Sequence, residues 1–302
     1  MLVHWPEVPV KSDLHIVENG LGKVALWSNI IHDLKKKDPE KRISIQSPWP
    51  DLYDKHKDIY SSIHVMDQSV DYKKYFDKMI YHEPYKSHYL KKDIHMTKAW
   101  RDMYDLPDGD TCIDLHVSEP DALYCNQIIS NMQEKPYVLL QLKGGTNVGQ
   151  KAYSPDHQGF MKARNYEMDY ELVTELYNNY NKDYFFLIIR TKNDPYSPSL
   201  ENYPELGFLE DEKISVLHAI AQNCKTFISI DSCVQHFCSQ RGNIKKGVVM
   251  WGAPTDPITI GHDWNVNLMS EHPSKVSVEV NTVMEAFESI IKPNKKIDES
   301  TK

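Results

Sequence analysis

The stretch TFISIDSCVQHF, Thr226 to Phe237, decides the fold. Thr226 to Ile230 is a short β-rich run that stops at Asp231-Ser232, and Val234, Phe237 and Cys238 then follow with helical spacing. The order is strand, N-cap, helix. The first turn of such a helix leaves backbone N–H groups unpaired, and the helix dipole adds roughly half a positive charge there, so the junction suits a phosphate or diphosphate. A second apolar run, Gly247 to Trp251, ends at Gly252-Ala253-Pro254-Thr255-Asp256-Pro257. Together these make one βαβ unit with a polar mouth.

Working outward, the pattern repeats. Leu209-Glu210-Asp211-Glu212 is expected to begin a helix that continues through Ile214, Leu217, Ile220 and Ala221, its acidic first turn suiting the positive helix end. Upstream, Tyr137 to Leu142 reads as a buried strand that ends in Lys143-Gly144-Gly145-Thr146. Asn147 to Ala163 is polar and broken by Pro155, a surface loop of the length that carries function. Tyr166 to Tyr180 reads as a helix and Tyr184 to Ile189 as a central strand, with Arg190 at its carboxyl end, where open α/β sheets bind ligands. Val278 to Ile291 is a closing amphipathic helix before a charged tail.

The N-terminal part opens in the same way. Asp13 to Val17 is strand-like, Glu18-Asn19-Gly20-Leu21-Gly22-Lys23 forms a glycine-rich turn, and Val24, Leu26, Trp27, Ile30, Ile31 and Leu34 keep helical spacing. Ile43 to Gln46 is the next strand. Residues 51 to 110, rich in Tyr, His, Lys and Asp, predict short helices and loops; Asp108-Gly109-Asp110 reads as a turn, and Cys112 to Val117 as a strand. His82, His88, His95 and His116 lack the spacing of metal ligands and read as surface or satisfied core residues. The expected class is α/β, with an N-terminal domain over residues 1–130, a C-terminal domain over 131–292 and a frayed tail over 293–302.

Composition narrows the function. A chain of 302 residues, 40% hydrophobic and 26% charged, is ordinary globular material of about two domains. A formal net charge of −8 excludes a generic polyanion-binding surface. No run approaches the roughly 20 apolar residues of a membrane span, and the first residues lack a secretory pattern, so a cytoplasmic protein is expected. Five cysteines without a C-x-x-C pair suggest neither a disulfide framework nor a metal centre.

The run LEDEKISVLHAIAQNCKTFISIDSCVQHFCSQRGNIKKGVVMWGAPTDPITIG, Leu209 to Gly261, resembles the C-terminal signature of the heptosyltransferase-like glycosyltransferases, the ninth family of sugar transferases. The resemblance extends to GLGKVALWSNIIHDLKKKDPEKRISI (Gly20–Ile45), LLQLKGGT (Leu139–Thr146) and SVEVNTVMEAFESII (Ser277–Ile291), leaving about residues 50 to 130 unmatched. It implies a GT-B fold, two Rossmann-like domains facing across a cleft, with the acceptor on the N-terminal domain and a nucleotide-diphosphate sugar on the C-terminal one. It also implies inverting transfer with no metal or other cofactor required, the nucleotide sugar acting as co-substrate. Asp231 would hydrogen-bond donor sugar hydroxyls, Ser232 and Cys233 would hold the diphosphate, His236 would face the sugar, and Gly252 would line the same mouth. Lys143, Gly144, Gly145, Thr146 and Arg190 would contribute from neighbouring strand ends. Arg164, which with Asn165-Tyr166 stands where the family has Lys followed by Trp, is the preferred cation for the leaving group, with Lys151 and Lys162 as alternatives.

Two departures stand out. The family's base is an Asp directly after the glycine of the N-terminal turn, and this chain has Lys23 there, which cannot accept a proton while charged. Glu18 or Asp51 would have to substitute, or the acceptor differs and the base comes from elsewhere, or the chain is a non-catalytic nucleotide-sugar or phosphate-binding module. Cys233 stands where the family has a glycine. The acceptor implied is a glycan or lipopolysaccharide-type sugar. The Lys-, Asn-, Tyr- and Ile-rich composition also suits an AT-rich genome and a phage enzyme acting on a hydroxymethylated DNA base, the one setting in which nucleic acid would be a partner.

Overall fold

The computed structural model describes residues 12–17, 20–54, 56–63, 72–82, 94–132, 135–144, 165–190, 203–204, 206–252, 256–272 and 275–292. The first half contains β1 (Ser12–Ile16), α1 (Leu21–Lys37), β2 (Ile43–Gln46), a 3₁₀ turn (Pro50–Tyr53), β3 (Ile59–Ile63), β4 (Phe76–Tyr81), α2 (Met96–Met103) and α3 (Glu119–Ser130). Its four strands are parallel in the order β3-β2-β1-β4. β3 and β4 were not expected from the sequence. Both are edge strands with mostly exposed or half-buried residues, so the apolar run that marks a central strand is missing.

The second half contains β5 (Tyr137–Gln141), α4 (Asp169–Tyr180), β6 (Phe185–Arg190), β7 (Leu206–Glu210), α5 (Ile214–Asn223), β8 (Thr226–Ile230), α6 (Cys233–Phe237), β9 (Ser239–Gln240), β10 (Asn243–Ile244), β11 (Gly247–Trp251), α7 (Pro257–Ile260), β12 (Val266–Met269) and α8 (Val280–Ile291). Six of these strands form a parallel sheet in the order β12-β11-β8-β5-β6-β7. Counted within the sheet, that is the doubly wound Rossmann order, reversing between β5 and β8.

Three sequence expectations are corrected. Leu209-Glu210 closes β7 instead of opening a helix: Glu210 pairs with Arg190 in register, Asp211 turns to a φ of 51°, and the helix starts only at Ile214. Cys112 to Val117 is not a strand. It is an extended strap between the two sheets, tied to α1 by Asn29 and Ser28 and to β9 by the bridge from Ile113 to Gln240. The edge strand β12, short and half exposed, was also missed.

Burial explains why the two sheets sit together. One cluster runs without interruption from Ile45, Leu26 and Trp27 through Phe237 and Val216 to Phe227 and Leu139, so the helices between the sheets share a core. A second cluster, with Val138, Leu140, Ile228, Val248 and Phe287, covers the other face of the six-stranded sheet. Alternate residues of β5 therefore enter different cores, as in a parallel sheet covered on both sides. Each fully buried Leu or Phe contributes about 2 kcal/mol. Helix α3 docks on α5, where Asp121 meets Lys213 at 3.0 Å and Ser215 at 2.8 Å.

Candidate functional site

A doubly wound sheet opens a crevice where its strand order reverses, at the carboxyl ends of the strands. In the larger sheet the flanking strands are β8, ending at Asp231-Ser232, and β5, ending at Lys143-Gly144. Of the sequence-predicted donor residues, Asp231-Ser232 and Lys143-Gly144 thus lie at the ends of the two strands that flank the switch point. Asp231 is 4% exposed; its amide donates to Met250 O at 3.0 Å, extending the β8–β11 pairing, and its Oδ1 accepts from Gln235 Nε2 at 3.1 Å. Ser232 caps α6 by accepting the Val234 amide at 3.4 Å. With five residues, α6 carries only part of a helix dipole, so backbone amides and Asp231 define this mouth more than the dipole does. Cys233 is the first residue of α6, and no positive φ occurs there, so the side chain standing in place of glycine costs no backbone strain.

The neighbouring residues are placed as follows. Lys143 bridges to Asn165 and its ammonium lies 3.2 Å from Asp169, while the Gly144 amide donates to Asn165 Oδ1 at 3.3 Å. Arg190 lies one strand further out, with Nη2 at 2.5 Å from Glu210 and the guanidinium 3.9 Å over the Phe208 ring. Gly252 is buried at the end of β11. Glu18, Gly145, Thr146 and Arg164, and the alternatives Lys151 and Lys162, lie outside the described residues.

From the smaller sheet, the turn after β1 leads into the first turn of α1, which packs against α6. His236 on α6 is 2% exposed and lies against Gly22: a Cβ on Gly22 would stand 2.7 Å from its Cδ2 and 2.9 Å from its Nε2. Behind it, His236 Nδ1 is 3.1 Å from His262 Nε2, and His262 Nδ1 is 3.0 Å from Thr111 Oγ1, just before the strap. His262 also stacks on Trp264 at 4.7 Å and 12°. Burial, then the charges of His236 and His95, hold His262 well below the ordinary histidine range, so it is neutral. His262, Thr111 and Gln235 were not singled out in the sequence: Gln235 stands beside His236 and one helical turn after Asp231, a local spacing that could have found it, whereas only the fold joins His262 and Thr111 to His236.

Lys23, 8% exposed, sits in the first turn of α1. Its charge bears on His82, whose pKa is pushed well below normal by burial first, then His15, then Lys23. His82 follows β4, and its Nδ1 accepts from Trp27 Nε1 at 3.0 Å, which leaves the ring proton on Nε2, facing His15 Nδ1 at 2.8 Å and the Tyr104 hydroxyl at 2.9 Å. These rings form a neutral, hydrogen-bonded floor beneath the smaller sheet's switch point. Asp51 is exposed on the 3₁₀ turn that follows β2. Among the described residues no helix is long and apolar enough to cross a membrane.

No family model and no curated protein sequence matches the chain. Solved structures do. A glycosyl transferase of family 9 from Veillonella parvula superposes with a TM-score of 0.69 at 14% identity, covering 96% of this chain and 99% of that one. The Escherichia coli ADP-heptose lipopolysaccharide heptosyltransferase II gives 0.63 at 15% identity, with 93% and 98% covered. An E. coli heptosyltransferase solved with ADP gives 0.57 at 12% identity, with 91% and 98% covered. These likenesses establish the fold expected from the sequence: GT-B, two Rossmann-like domains facing across a cleft.

Proposed function

We propose that this chain is a glycosyltransferase that moves a sugar from a nucleotide-diphosphate sugar to an acceptor hydroxyl, with inversion and without a catalytic metal. The observation that carries the reading is the convergence of Asp231-Ser232 and Lys143-Gly144 on the larger sheet's switch point, with His236 reaching across to Gly22 at the head of α1. The neighbouring structures include an ADP-heptose heptosyltransferase and a heptosyltransferase bound to ADP, so adenine nucleotides head the donors to try. In this reading residues 131–292 hold the donor and residues 1–130 the acceptor, with α3 and the strap forming the joint.

The chemistry asks for three things. Departure of the nucleoside diphosphate needs fixed donors or cations at the phosphates, which the amides of the Asp231–Cys233 turn, those of Gly144, Gly145 and Thr146, and Arg164 would supply. The sugar needs orientation, which we assign to the Asp231 carboxylate and to His236. The acceptor hydroxyl needs a base, and we assign that role to Glu18 or to exposed Asp51 in place of the family's carboxylate at the position of Lys23. The acceptor is a glycan-type sugar or a hydroxymethylated DNA base, and we place the reaction in the cytoplasm.

Calorimetric titration with ADP-, UDP- and GDP-sugars tests the donor half. One donor is expected to bind, with Asp231→Ala weakening the sugar nucleotide at least about tenfold more than the bare nucleoside diphosphate, and with added magnesium or manganese leaving affinity unchanged. Failure of every nucleotide sugar to bind overturns the reading. A second reading, a binding module without turnover, is favoured by Lys23 alone; donor consumption abolished by Glu18→Gln or Asp51→Asn excludes it.

A further inference from the structure

On the opposite side of the smaller sheet from this cleft, the fold collects three side chains that lie far apart in sequence. His56 precedes the amino end of β3, and Asp114 and His116 belong to the strap. Each can offer one ligand atom, and the three atoms lie within 4.8 Å of one another. His56 is 3% exposed, and its Nε2 is buried with no hydrogen-bond partner. Its ring meets that of His116 edge-on, centroids 5.3 Å apart at 67°. The Asp114 carboxylate lies 4.0 Å from His116 Nε2 and 3.6 Å from Arg241 Nη1.

A buried imidazole nitrogen without a partner calls for an explanation. A second orphan stands beside it: Asp58 Oδ2, two residues on, is also buried and without a hydrogen bond, with His32 Nδ1 3.8 Å away. Two orphaned atoms on one short segment, one a potential ligand and one a potential acceptor, match the pair a metal-bound histidine uses. The ligand nitrogen faces the ion while the other ring N–H donates to a carboxylate. The Asp58 amide now donates to His56 Nδ1 over a long 3.3 Å, so ligation through Nε2 gives up that weak bond and turns Nδ1–H toward the Asp58 carboxylate.

We propose that His56, Asp114 and His116 bind one divalent transition-metal ion of the zinc class, with Asp58 orienting His56 and water completing the shell. Two imidazoles and one carboxylate are the donors of zinc and its neighbours, whereas magnesium and calcium take oxygen-rich shells. Donors around tetrahedral zinc stand about 3.3 Å apart, so the site closes by up to about 1.5 Å, a movement that exposed His116 makes by a change of rotamer. The ion fastens the β2–β3 connection to the strap between the sheets. Because it sits at the amino end of β3 and the donor crevice lies at carboxyl ends, the metal is a structural clip and takes no part in transfer. The inference does not depend on the glycosyl-transfer reading.

The test uses the full chain stripped of metal and titrated with zinc chloride, with magnesium chloride in parallel. One zinc per chain is expected at micromolar affinity or better, with no magnesium uptake and a zinc-dependent rise in melting temperature. The chain has 14 histidines and 5 cysteines, so variants decide where the ion sits. His116→Ala, at an exposed position, keeps the fold and is expected to weaken zinc on the order of 100-fold, and Asp58→Asn about tenfold. Cobalt substitution should give tetrahedral visible bands that His116→Ala abolishes. Zinc uptake unchanged in His116→Ala, or no stoichiometric uptake by the unaltered chain, overturns the proposal.

Discussion

Gly22 and His236 touch across the joint between the two sheets: a methyl group on Gly22 would lie 2.7 Å from His236 Cδ2 and 2.9 Å from its Nε2. Glycine is required here by proximity and not by backbone angle, since no positive φ is found there. Gly22→Ala is therefore expected to push α1 from α6 and cost about 1–3 kcal/mol in urea denaturation. Gly20→Ala is the control, because nothing lies within 4 Å of the added methyl, and it should change stability by less than about 0.5 kcal/mol. Equal effects from the two substitutions contradict the contact.

The buried histidines set an acid limit. Burial first, then the Lys41 charge, lowers His15 to about 3, and burial lowers His218 to about 4. Both are charged more readily in the unfolded chain, which takes up protons below about pH 6.5 while the folded chain does not. Stability is thus complete above pH 6.5 and falls with decreasing pH by about 1.4 kcal/mol per unit for each such histidine, until the folded values are reached. At pH 5 these two alone remove about 4 kcal/mol. The urea midpoint should be flat from pH 8 to 7 and drop steeply between 6.5 and 5; a flat course to pH 5 would show these rings to be solvated.

Arg101 holds α2 and the turn at Pro107 to α1. Its guanidinium is buried and donates to Asn29 Oδ1 at 3.2 and 3.0 Å and to Pro107 O at 2.8 Å, and pairs with Asp33 at 2.8 Å. Arg101→Met leaves those acceptors unsatisfied and is expected to cost about 3 kcal/mol. Arg101→Lys, with a point charge in place of a planar fork, should recover less than half. Chemical denaturation of the two variants measures the difference.

Cys233 gives a contrary expectation to the family pattern. Because it is the first residue of α6, with ordinary backbone angles, Cys233→Gly should lower stability by up to about 1 kcal/mol instead of relieving strain. A more stable glycine variant, by thermal melting, would mean that the turn prefers the left-handed region.

The sequence determined the central strands, the long helices and the order of the motifs. β5, β6 and β11 are nearly continuous apolar runs, β1, β2 and β8 are short runs in which apolar and small polar residues are mixed, and α1 and α8 carry an apolar stripe, signals that exist within ten or so neighbouring residues. The junction at Asp231-Ser232 was legible for the same reason: a capped helix after a strand is a local pattern. Tertiary structure decided the rest. Edge strands β3, β4 and β12 are specified by the neighbour that supplies their hydrogen bonds, and the strap from Cys112 to Val117 by the two elements it lies between. Contacts such as His236 with His262 and Gly22, or His56 with Asp114 and His116, join residues 26 to 214 positions apart, or 58 to 60 in the second set. No sequence spacing encodes such distances, because chain separation becomes proximity only once the shared core between the sheets has closed.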